Sequence, residues 1–156
     1  MTKETNKIQL LLYGITILLA LVVLIDFTLP GKVFTEDVIK VERKRENYYN
    51  AGGNSHISYK VITSKRQFSV SEDLAKSVEN KQIEYSESLI FKEVNRHKLV
   101  SSEKSTIYSF RLVSGLILPL IVIITILITY IYKKEMNILI FVLQVLLLGD
   151  YIILTL

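Results

Sequence analysis

QLLLYGITILLALVVLI, residues 9 to 25, contains no charged side chain, and it is the core of an uncharged run of 18 residues between Lys7 and Asp26. An α-helix rises about 1.5 Å per residue, so about 20 apolar residues cross a hydrocarbon layer roughly 30 Å thick. Two further runs follow: 21 uncharged residues between Arg111 and Lys133, and 21 residues from Met136 to Leu156 whose only charge is Asp150. The sequence therefore predicts three transmembrane helices. A secretory signal peptide is the competing reading of the first run, since Lys3 and Lys7 precede it. Its length exceeds the roughly 7 to 15 residues of a signal core, and no small-x-small site precedes DFTLPGK, so an uncleaved anchor is expected.

The rest of the chain has the opposite character. Of 156 residues 50% are hydrophobic, yet 22% are charged, and the two kinds are segregated along the sequence. Residues 30–107 hold 14 Lys or Arg against 11 Asp or Glu, which suits a solvated domain. The expected fold class is a membrane α protein with three transmembrane helices and a small α+β, strand-rich extramembrane domain inserted between helices 1 and 2. The expected segments are 1–7, a cytoplasmic N-terminus; 8–29, helix 1; 30–107, the extracytoplasmic domain; 108–132, helix 2; 133–135, a cytoplasmic link; and 136–156, helix 3.

Orientation follows from the short flanks, because long loops cross membranes largely regardless of charge. MTKETNK and KKE carry two lysines each. The positive-inside rule assigns both to the cytoplasm of a cell (plasma or inner) membrane, with the middle domain outside. Lys32, Lys40, Arg43, Lys44 and Arg45 pull the other way, and Asp26, Glu36 and Asp37 balance them.

Within the domain, Pro30-Gly31 stops helix 1. VIKV, then ISYKVIT beyond the polar turn NAGGNS, have the β-branched and aromatic composition of strands, with Ile57, Tyr59, Val61 and Thr63 on one face. RQFSV continues the alternation through Phe68 and Val70. SVSEDLAKSVEN reads as a short helix capped by Ser69 or Ser71, with its acids in the first turn. QIEYS and SLIFKEV read as two more strands, giving β-β-β-α-β-β. So small a domain has a small core, which the helices or a partner are expected to complete.

The search for chemistry excludes more than it finds. With no cysteine, the chain has no disulfide, thiolate metal site, thiol nucleophile or lipid-modified cysteine. His56 and His97 stand 41 residues apart, neither has a second histidine at helical spacing, and both are expected on the solvated surface. No nucleophile-elbow, zinc-protease, P-loop or dinucleotide pattern is present, and Gly52-Gly53 reads as a turn. VERKREN beside Tyr48 and Tyr49 is basic, but Glu42 and Glu46 interrupt it, and an outward domain meets no nucleic acid. A solvated strand or a lipid-headgroup contact is expected there. Glu84, Glu87 and Glu93 lack the spacing of an acid-base pair. No catalytic residue, cofactor site or metal site is expected, and the chain reads as non-enzymatic.

The polar residues of the apolar runs fall on stripes. At 100° per residue, Gln9, Tyr13, Thr16 and Ala20 lie within about 60° of arc, as do Arg111, Ser114, Thr125, Thr129 and Tyr132. Asn137, Gln144 and Tyr151 follow at heptad spacing. Hydrocarbon offers amides and hydroxyls no partner, so the stripes should face other helices, each bond contributing about 0.6 to 2 kcal/mol. The link KKE makes helices 2 and 3 antiparallel neighbours and sets Asp150 level with Leu118 and Pro119. Pro119 has no N–H to offer the Gly115 carbonyl. Protonated Asp150 is expected to bond that carbonyl and ionised Asp150 to reach Arg111; the competing reading keeps Asp150 hydrated at the outer headgroups. The expected partners are membrane lipid and other membrane subunits or further copies of the chain. Two functions remain open: an accessory or interaction subunit of a membrane assembly, or a homo-oligomeric ion- or proton-conducting or membrane-disrupting protein built on Asp150.

Overall fold

The computed structural model describes residues 7–47, 55–78, 81–133 and 136–155. The flank before Lys7, Tyr48 and Tyr49, residues 50–54 of the polar turn, Lys134 and Glu135 of the link, and the His56 side chain lie outside the described residues.

Three helices are long and apolar enough to span a membrane: Lys7–Thr28, Ser109–Tyr132 and Asn137–Thr155. The first buries Tyr13, Thr16, Ala20, Val23 and Asp26, steps of three and four that keep one face inward. The third buries Ile140, Leu143, Leu147, Asp150 and Leu154. Their shared core joins Tyr13 and Ala20 to Val122, Ile126, Ile140, Leu143 and Leu147. Most of the remaining aliphatic side chains of the three helices point outward, as in a bundle with too few layers to bury them.

The second long helix is not uniform. Val113–Ile117 is a π-helical turn between the α-helical stretches Ser109–Leu112 and Leu118–Tyr132, and the Leu118 N–H bonds back to the Val113 carbonyl. Pro119 follows at once. A proline lacks the N–H of the regular ladder, and its ring crowds the carbonyl four residues earlier. Widening the preceding turn by one residue relieves that conflict.

The chain forms two compact units: the three long helices together with Ser88–Glu93, and the strand-rich Gly31–Glu87 with Val94–Tyr108. Seven strands are found among the described residues: β1 Lys32–Asp37, β2 Lys40–Asn47, β3 Ser55–Ile62, β4 Gln67–Val70, β5 Gln82–Glu87, β6 Val94–Leu99 and β7 Thr106–Ile107. They build two antiparallel sheets, ordered β1-β5-β6-β7 and β2-β3-β4. Val38, Val61, Phe68, Val78, Ile83, Tyr85 and Val94 form the core of this unit. The short helix Glu72–Val78 is capped by Ser71, whose hydroxyl accepts from the Leu74 N–H at 3.4 Å.

Three of the sequence expectations for this region are corrected. VIKV is not one strand: the Val38 N–H bonds the Lys81 carbonyl and the Ile39 N–H bonds the Ile62 carbonyl, so these residues carry the chain from one sheet to the other. KVFTED is a strand that the alternation hides, because its inward row reads Phe34, Glu36, Val38 with a buried acid in the middle. Glu36 is held there by the Lys65 N–H and ammonium, each at 3.3 Å. SLIFKEV divides, with Ser88–Glu93 belonging to the helical unit and β6 starting only at Val94. The apolar triplet Leu89-Ile90-Phe91 imitates a strand core.

Candidate functional site

Asp26 follows Val23 by three residues on the buried face of the first long helix, and Arg111 is the third residue of the second. Both side chains are 0% exposed, with Arg111 Nη2 3.0 Å from Asp26 Oδ2. The other carboxylate oxygen, Oδ1, accepts the backbone N–H of Ile90 at 2.6 Å and of Phe91 at 3.3 Å. One carboxylate thus ties together two helices and the Ser88–Glu93 segment. A buried charge is tolerated only when paired and hydrogen-bonded, and Asp26 meets both conditions.

The segment is wired to itself as well. The Ser88 N–H donates to the Glu93 carbonyl at 2.9 Å, and the Glu93 N–H to the Ser88 hydroxyl at 3.2 Å. Lys92 adopts a left-handed backbone with φ 61°, and its ammonium donates to the Leu89 carbonyl at 2.6 Å. Phe91 packs edge-on against Tyr151 of the third long helix, with ring centroids 5.5 Å apart.

Asp150 is 7% exposed, and the polar groups acting on its carboxyl are the Arg111 guanidinium and the Ser114 hydroxyl. Its Oδ2 and the Ser114 Oγ are buried without a hydrogen-bond partner among the described residues. The structure adds a second acid to this cluster. The hydrogen-bonded partner of Arg111 is Asp26, which the charge pattern places among the flanking surface charges, while Asp150 stands near the pair as a second acid. No bond from Asp150 to the Gly115 carbonyl is found among the described residues. Gly115 instead faces Phe27, and a Cβ built there would lie 2.6 Å from Phe27 Cδ2. Pro119 is fully buried. The sequence signal for the pair is a lone acid near the end of one apolar run and a lone base at the start of the next.

The polar stripes join the first and third helices. Gln9 Nε2 donates to Tyr13 Oη at 2.7 Å and to Asn137 Oδ1 at 3.0 Å, and Gln144 Nε2 donates to Thr16 Oγ1 at 2.8 Å. Both interhelical pairs are 128 residues apart in sequence, so the two helices run parallel in a single register with heptad steps. Ser114, Thr125 and Thr129 are buried in the second helix, whereas Tyr132 is exposed, and Thr129 Oγ1 has no partner among the described residues. Tyr151 is half-buried, so Asn137, Gln144 and Tyr151 border the buried face of the third helix rather than form it.

The chain matches no family model, no curated protein and no solved structure. Its chemistry must be read from its own side chains. Among the described residues, no three His, Asp or Glu side chains converge as a metal site would require. The basic strand β2 forms an antiparallel ladder with β3, and Lys40 is paired with Glu42 at 2.8 Å.

His97 overturns the expectation of a surface histidine. It is 3% exposed, with its ring 5.6 Å from that of Phe68 and neither ring nitrogen hydrogen-bonded among the described residues. Burial pushes its pKa below the ordinary 6.5. Below that ordinary value the unfolded chain takes up a proton that folded His97 refuses, so stability present above it is lost as pH falls toward the folded pKa. Thermal unfolding of the strand-rich unit should shift to lower temperature as pH drops below the ordinary histidine value. His97→Gln should flatten that slope. A slope of equal size in the variant would assign the effect to another group.

Proposed function

We propose that the chain is an integral protein of the cell (plasma or inner) membrane, with its N-terminus cytoplasmic and residues 30–107 outside, serving as a non-enzymatic accessory or interaction subunit of a membrane assembly. The observation that carries this reading is the saturation of Asp26. Its carboxylate accepts from Arg111 and from two N–H groups of its own chain, so both oxygens are engaged in holding the fold. A closed ionic lock that fixes a loop on a helix bundle suits a rigid presenting scaffold. Affinity isolation in a mild detergent should recover a stoichiometric membrane partner, and recovery of the chain only with itself would count against the reading. Orientation is checked in the same cells by a cysteine at exposed Lys76, which should react with a membrane-impermeant thiol reagent.

One observation favours a second reading, a homo-oligomeric conductor. Asp150 is a second buried acid beside the Asp26–Arg111 pair, with the Arg111 guanidinium acting on its carboxyl. The two readings separate on Asp150. In a scaffold, Asp150→Asn keeps a polar group beside the Arg111 guanidinium and assembly survives, while Asp150→Leu removes the acid that faces this buried cation and costs about 1 to 3 kcal/mol. In a conductor both substitutions abolish the ion or proton flux that the parent chain produces, since neither side chain exchanges a proton near neutral pH.

A further inference from the structure

We infer that Ser88–Glu93 is a lipid-inserted loop, in which Leu89 and Ile90 enter the hydrocarbon boundary of the bilayer beside the ends of the long helices. The inference rests on the membrane reading above and adds a contact surface to it. Its depth comes from its partners: Phe91 reaches Tyr151, four residues before the last residue of the third helix, and the loop N–H groups reach Asp26, two residues before the end of the first. The loop is therefore level with the last turns of those helices rather than beyond them.

Side chains and backbone both fit that depth. Ile90 is 53% exposed and Leu89 is exposed beside it. At the same end of the bundle Leu29, Phe110 and Val113 are exposed too. Irregular backbone survives next to hydrocarbon only when its polar groups are satisfied from within the protein. The N–H groups of Ser88, Ile90, Phe91 and Glu93 and the Leu89 carbonyl all have partners inside the helical unit. The Lys92 ammonium folds back to donate to the Leu89 carbonyl at 2.6 Å.

The chain has no tryptophan, so Ile90→Trp and Leu89→Trp each install a single reporter at an exposed position. The full chain, reconstituted in phosphatidylcholine vesicles with acyl chains brominated near the headgroup, should show blue-shifted tryptophan emission with most intensity lost to bromine and little lost to aqueous acrylamide. Ile124→Trp, on an exposed face in the middle of the second helix, is the reference, quenched best by bromines deep in the chain. Red-shifted emission at positions 89 and 90, quenched by acrylamide and untouched by bromine while Ile124→Trp is quenched, overturns the loop insertion alone. Loss of bromine quenching at all three positions overturns the membrane reading itself.

Discussion

Arg111→Met should be the most damaging single substitution in the helical unit. It leaves the Asp26 carboxylate buried without its cation and takes from Asp150 the positive charge that acts on it. Breaking a buried pair by removing one partner costs about 3 to 5 kcal/mol, because the remaining charge stays desolvated. Asp26→Asn should cost less, since the amide oxygen still accepts from Ile90 and Phe91, and Arg111 retains Asp150 as a counter-charge. The pair Asp26→Asn with Arg111→Gln, which removes both charges and keeps hydrogen-bonding groups, should recover most of the loss. Asp26→Leu with Arg111→Met should recover less, because two loop amides then lack an acceptor at about 1 to 3 kcal/mol each. Unfolding in detergent, followed by helical circular dichroism, ranks the four. Parental stability in Arg111→Met would remove the lock from the account.

Gly115→Ala should be the most damaging methyl addition. The new Cβ would lie 2.6 Å from Cδ2 and 2.7 Å from Cβ and Cγ of Phe27, within the range where something must shift. Phe27 cannot yield freely, since it follows Asp26 directly and Asp26 is fixed by three hydrogen bonds. Overpacking of this kind costs about 1 to 3 kcal/mol, and here it also strains the neighbouring ion pair. The diagnostic result is coupling. Phe27→Ala alone should destabilise, yet in its presence Gly115→Ala should become nearly neutral, a departure from additivity expected only of residues in contact. Gly14→Ala in the first helix is the control and should be tolerated, because a Cβ added there meets nothing within 4 Å. Additive losses from Phe27→Ala and Gly115→Ala would mean that the two helices do not meet at this point.

The long helices are legible because charge-free runs of about 20 residues have few other uses. The inward position of Tyr13, Thr16 and Ala20 follows from a period of 3.6 residues, which is local information. The strands at Ser55–Ile62, Gln67–Val70 and Gln82–Glu87 are legible for the same reason, since alternation repeats every two residues. Where a strand carries a buried acid, as at Glu36, or a loop carries three apolar residues, as at Leu89 to Phe91, the local pattern misleads. The inward place of His97 is equally hidden, because a histidine's burial depends on what packs over it, here Phe68 from the other sheet.

The sequence by itself determined three apolar helices, a strand-rich insertion between the first two, and the absence of thiol chemistry. Only the tertiary structure decided that Arg111 bonds to Asp26, that Gly115 receives Phe27, and that Ser88–Glu93 joins the helices rather than the sheet. The reason lies in range. Those contacts link residues separated by 64 to 88 positions in the chain, and whether a buried charge or amide is satisfied depends on which groups meet across that distance.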